Sequence, residues 1–92
     1  MATGNTSNSS IKYAYTRLDS MSAGFSLFTG LTFYSDTNMT LPITLSYDRM
    51  VNAGVYGGND SMKKTIIGIN NTSLAVSTAE GHSGMTVRIS YI

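Results

Sequence analysis

Turn-forming residues interrupt this chain so often that no helix of ordinary length fits between them. Clusters rich in Gly, Asn, Asp and Ser recur about every 8–12 residues, at "DSMSAG", "SDTN", "GGND", "NNTS" and "AEGHSG". The longest helical candidate, residues 47–53, is too short for an isolated helix and runs into glycines. The stretches between the turns carry the period-two pattern of half-buried strands. In "IKYAYTRL" it puts Ile11, Tyr13 and Tyr15 on one face. "FSLFTGLTFY" is divided by Gly30, which predicts a bulge, a bend or two short strands. "MTLPITLSY" places Leu41, Ile43, Leu45 and Tyr47 together, with Pro42 marking an edge strand because it cannot donate to a ladder. "DRMVNAGVYGGND" reads as the longest irregular stretch, "KKTIIGI" and "LAVST" as strands. At the end of the chain Met85, Val87, Ile89 and Tyr91 alternate with Thr86, Arg88 and Ser90. These signals predict an all-β fold: a small antiparallel β-sandwich, immunoglobulin-like or a related Greek key, or a small barrel.

Ninety-two residues make one domain, expected over residues 11–92, with residues 1–10 as a flexible polar arm. A chain this small buries only about 60–70% of the surface it exposes unfolded. The absence of cysteine excludes a disulfide framework, a thiolate metal site and a cysteine nucleophile. The domain must fold on apolar packing alone or borrow stability from a neighbour. Charged residues make up 12%, about half the usual share near 25%. Ser, Thr and Asn supply the polarity instead, a composition common in secreted, cell-surface and virion proteins. An extracellular, cell-surface or virion location is therefore expected. "MATGNTSNSS" has neither the basic nor the apolar region of a signal peptide, which fits use without export or a mature form with an added Met. No apolar run reaches membrane-helix length, so membrane insertion is not expected. A net charge of +1 offers no field for nucleic acid.

Side chains that could carry chemistry are scattered. His82 is the single histidine, and no Gly-x-Ser-x-Gly elbow fixes a serine for it to activate. It is expected to be a loop histidine. Asp19, Asp36, Asp48, Asp60 and Glu80 each stand alone between strands, where acids cap turns rather than pair for catalysis. Asn59 and Asp60 offer hard oxygen ligands but lack the spaced carboxylates of a calcium loop. "VYGGNDSMKK" lacks the P-loop spacing; Lys63 and Lys64 more simply discourage edge-to-edge pairing. Asn5, Asn8, Asn38, Asn59, Asn70 and Asn71 head Asn-x-Ser/Thr triplets, a pattern that a chain rich in Ser and Thr makes by chance. No catalytic residue, metal or cofactor is expected. Tyr13, Tyr15, Phe33, Tyr47 and Tyr91 fall in strand segments, where aromatics pack between sheets. Tyr56, in the glycine-rich loop, is the expected ligand contact.

The closing "SGMTVRISYI" resembles the last strand of chaperone–usher fimbrial subunits, with a small residue or glycine, alternating Thr and Val, and a late tyrosine. Those subunits are incomplete immunoglobulin-like sandwiches completed by a neighbour's N-terminal extension. The resemblance, over residues 83–92, implies that residues 1–10 running into "IKYAYTRL" serve as such an extension. A second resemblance is to βγ-crystallin hairpins, carried by "LTFYSDTNMTLPITLS" and "SLAVSTAEGHSGMTVRIS", with His82 where that family has an aromatic. The expectation is a non-catalytic structural subunit forming homo-oligomers, in a surface fibre or a virion coat or decoration layer. Met85, Val87, Ile89 and Tyr91 would be its assembly strand, and Ile11, Tyr13 and Tyr15 its arm or interface. The alternative is a module that binds carbohydrate or a host protein through loop aromatics.

Overall fold

Wherever alternation is regular, the chain pairs into one of two antiparallel sheets. The computed structural model describes residues 10–92, so the expected arm lies, apart from Ser10, outside the described residues. The strands are β1 (Lys12–Met21), β2 (Gly24–Thr29), β3 (Phe33–Tyr34), β4 (Pro42–Ile43), β5 (Met50–Val55), β6 (Ile66–Ile69), β7 (Ser73–Thr78) and β8 (His82–Tyr91). One sheet has five strands in the order β4-β3-β1-β8-β5, the other three in the order β2-β7-β6. The two pack as a sandwich.

The buried core is drawn from one face of each sheet. Ala14, Thr16 and Leu18 of β1 meet Met85, Val87 and Ile89 of β8, while Ile67, Leu74 and Val76 come from the smaller sheet. Met21, Phe33, Leu45 and Ala53 complete it. Thr16 is the most deeply buried of the polar residues, which also include Thr65, Ser73 and Thr78, and its hydroxyl donates to the Thr32 carbonyl at 2.8 Å, so its burial leaves no orphan. Gly30, at φ 66°, turns the chain from β2 in one sheet to β3 in the other; the glycine that divided the apolar stretch separates two sheets.

Four expectations change. The terminal alternating strand forms, but it is interior: β8 pairs with β1 along its length on one side and with β5 on the other. Its apolar face is covered by the chain's own second sheet, so neither edge nor face needs a neighbour. Tyr13 and Tyr15 face outward, because Ala14, Thr16 and Leu18 hold the inner register of β1. Residues 50–55, within the stretch expected to be irregular, form β5, whose pairing slips at a bulge between Met50 and Asn52. Of "MTLPITLSY" only Pro42 and Ile43 pair; Leu41 is exposed, and Tyr47–Arg49 is a 3₁₀ turn.

The "GGND" turn leads into a single helical turn, α1 (Asp60–Lys63). The Asn59 side chain caps it by accepting from the Met62 N–H at 3.0 Å. Asp36 organises the β3–β4 connection in the same way: its carboxylate accepts from the Thr40 hydroxyl at 2.6 Å and from the Thr40 and Leu41 N–H groups. These bonds, the Thr40 hydroxyl first, hold its pKa below the ordinary carboxylate value.

Candidate functional site

The outward face of the five-stranded sheet gathers four of the six tyrosines. Cross-strand register sets Tyr34, Tyr15, Arg88 and Gly54 in one row, from β3 through β1 and β8 to β5. The next row holds Tyr13, Ser90 and Asn52. Tyr56 joins them from the end of β5, because its N–H continues the ladder to the Thr86 carbonyl at 2.8 Å before Gly57 and Gly58, both at positive φ, turn the chain away. The tyrosine expected in a loop is thus held against the sheet.

Tyr13, Tyr15, Tyr56 and Arg88 touch one another in pairs. Tyr15 and Tyr56 meet edge to face with centroids 5.2 Å apart. The Arg88 guanidinium stands 4.7 Å from the Tyr13 ring centroid and 5.9 Å from that of Tyr56. Such cation–π contacts are worth about 0.5–1 kcal/mol each at exposed sites, enough to bias a rotamer without pinning it. Tyr13 and Tyr56 remain 47% and 42% exposed. Beside Arg88 lies a hollow of about 90 Å³ lined by Asn52, Gly54, Val55, Arg88 and Ser90. It exists because Gly54 has no side chain, and a Cβ there would meet nothing within 4 Å.

The smaller sheet presents a different outer face. Phe25, Ser77 and Ile66 form one cross-strand row, and Leu27, Ala75 and Gly68 the next. Phe25, Leu27 and Ile66 are 69%, 55% and 70% exposed, and neither row contains a charge. The four outer edges of the two sheets differ as well. β4 is two residues long and contains Pro42. β5 carries its bulge and runs alongside β6. β6 is preceded by Lys63 and Lys64. β2 has six residues with no proline, charge or bulge, and no other strand pairs with its outer edge among the described residues.

Of the expected site residues, Met85, Val87 and Ile89 lie in the core and Tyr91 is half-buried. Arg49 lies 5.2 Å from the Tyr91 centroid, and its Nε–H donates to the Ile92 main-chain oxygen. Ile11 is exposed just before β1. Arg88 was missed: its place in the terminal alternation reads only as an outward position, and its rings come from other strands. His82 is also more than a loop residue. It opens β8, and its Nε2 lies 3.2 Å from the Thr65 hydroxyl and 3.1 Å from that of Thr78, joining the two sheets.

A cleft of about 490 Å³, large enough for a small ligand, is lined by Ser46, Tyr47, Asp48, Met50, Ile69, Asn70 and Asn71. Its single carboxylate has no histidine or second acid beside it in the lining. The Tyr47 hydroxyl is buried with no hydrogen-bond partner, and burial raises its pKa. Among the described residues no group of three or more His, Asp or Glu side chains could hold a metal. No family model matches the chain, and neither a curated protein nor a solved structure does.

Proposed function

We propose that this chain is a non-catalytic structural subunit that assembles with further copies of itself through the open edge of β2. The observation that carries the reading is the difference between β2 and the other three outer edges. Each of those has a proline, a bulge or adjacent lysines, the devices by which sheets discourage unwanted pairing. β2 has none, and it presents Phe25 and Leu27 beside its free backbone groups. A strand added there would satisfy those groups, and the adjoining sheet face would be covered by the same neighbour.

Magnitudes decide how much the face alone can do. Burying what Phe25, Leu27 and Ile66 expose is worth roughly 3–6 kcal/mol gross. Losing the freedom of a separate molecule costs about 4–15 kcal/mol. The apolar face therefore does not hold a pair of subunits by itself; strand pairing has to add to it. Residues 1–10 of a neighbour are the candidate added strand, and the repeated contact would build a surface fibre or a virion coat or decoration layer. The uncharged, hydroxyl-rich composition supports a location outside the cell or on a virion.

Light scattering on a size-exclusion column tests this with three samples: the whole chain, the chain lacking residues 1–10, and a Phe25→Lys/Leu27→Lys variant. The expected result is a large species for the whole chain and a monomer for both others. The lysines sit at exposed positions and should change stability by no more than about 0.5 kcal/mol. A whole chain that stays monomeric up to millimolar concentration would sink the proposal. So would an assembly indifferent to the lysines.

A further inference from the structure

We infer that the tyrosine–arginine face of the five-stranded sheet is a binding site for carboxylated glycans. It is independent of assembly through β2 and lies on the opposite side of the sandwich. Three observations point to an anionic ligand with flat apolar faces and hydroxyl groups.

The first is the state of Arg88. Its guanidinium lies over the Tyr13 and Tyr56 rings, and no carboxylate among the described residues lies within ion-pair distance of it. The rings are its neighbours and no side-chain or main-chain oxygen among the described residues takes its N–H groups, which leaves them open to a ligand. Those groups are the fork that grips a carboxylate with two parallel hydrogen bonds. Because the rings already bias its position, less side-chain entropy is lost when the acid arrives.

The second is the hollow beside it. At about 90 Å³ it is far below the roughly 300–1,000 Å³ of a small-molecule pocket. It accepts one substituent of a ligand whose body lies on the open face. The Asn52 amide and the Ser90 hydroxyl line it next to the guanidinium, a mixed set of donors and acceptors suited to a carboxylate and a neighbouring hydroxyl.

The third is the exposure of the rings. Half-exposed tyrosines with polar tips offer surfaces against which the C–H face of a sugar packs, while their hydroxyls remain free for sugar hydroxyls. The charge is too sparse for a polyphosphate backbone, which is neutralised by many basic groups. Here Arg88 and Arg17 stand on the face, and Asp19 follows Arg17 on the same side of β1.

The test is a titration of ¹⁵N-labelled protein, followed by NMR, with a panel of sialylated and glucuronic-acid-containing oligosaccharides. Each is paired with its carboxyl-reduced neutral counterpart, and a single-stranded oligonucleotide is included. Acidic members should shift amides of β1, β5 and β8, and neutral counterparts should bind about tenfold more weakly or worse. Gly54→Val fills the hollow at a position with ordinary strand φ and open space at Cβ, so it should fold as well as the parent and lose binding. Arg88→Lys keeps the charge without the fork, and should lose most of the preference for acid over neutral sugar. The inference is overturned if no acidic member binds at millimolar concentration, if neutral counterparts bind equally, or if the oligonucleotide binds more tightly. It is also overturned if both variants bind as the parent does.

Discussion

On the five-stranded sheet the outward positions hold mainly tyrosines, arginines, Asp19, serine and asparagine; on the three-stranded sheet they hold Phe25, Leu27, Ile66, Ala75, Gly68 and the single polar Ser77. Both sheets bury aliphatic side chains inward, so the difference lies wholly in residues that folding does not use. An amphipathic tyrosine tolerates water at its tip and offers a reversible surface to a polar ligand. Phenylalanine, leucine and isoleucine gathered without a charge gain only when water is removed from all of them together. The pair of faces therefore divides into one suited to transient recognition and one suited to lasting burial.

The largest way to break this contrast is to remove the floor that both faces share. Leu74 is fully buried in β7, the middle strand of the smaller sheet. Leu74→Ala should cost about 2–5 kcal/mol, read from urea unfolding, and should impair both surfaces together. An effect confined to one face would mean that the two sheets are not one cooperative unit.

A smaller change should strengthen the scaffold and leave both surfaces alone. Tyr47→Phe removes the buried hydroxyl that has no partner, with a gain of about 1 kcal/mol expected from thermal or urea melts. Burial raises the Tyr47 pKa above the ordinary phenol value near 10. As pH climbs past that value the unfolded chain releases this proton before the folded one does, so the parent loses stability. The phenylalanine variant lacks that loss, and its advantage should widen above about pH 10. A constant gap across that range would remove desolvation as the cause.

The mildest test separates the sheets. Asp36 has a lowered pKa, chiefly because it accepts from the Thr40 hydroxyl. Its contribution is complete above the unfolded value of about 3.9 and fades as pH falls through the folded one. Relative to the intrinsic rate, amide exchange at Thr40 and Leu41, beside the β4 edge, should quicken in acid while β6 and β7 keep their protection. Equal quickening in both sheets would show that acid acts elsewhere.

How much of this was legible beforehand varied with the local signal. β1, β2, β7 and β8 could be read because alternation and turn residues agreed. β5 was hidden: "MVNAGV" contains Asn, Gly and a bulge, and its strand character comes from pairing with β8. Tyr13 and Tyr15 were assigned to one face correctly, but alternation alone does not say which face is inside. Ala14 and Thr16 look like the weaker core candidates, yet their small size lets the second sheet approach. The candidate site was legible only as parts. Tyr34, Tyr15, Arg88 and Gly54 come from four strands, and no local pattern records their shared row.

The pairing of Lys12 with Tyr91 brings the two ends of the described strands to a single pole of the molecule, one strand spacing of about 4.8 Å apart. A segment joined before β1 and one joined after β8 would leave from nearly the same spot. Fusions at either end would tether the domain by the same corner, and a short loop could bridge that gap in a permuted chain. In the proposed assembly the pole would act as a fixed leash point. Ten residues stretch to about 33–36 Å at most, so only a neighbour whose β2 edge comes within that radius can receive them.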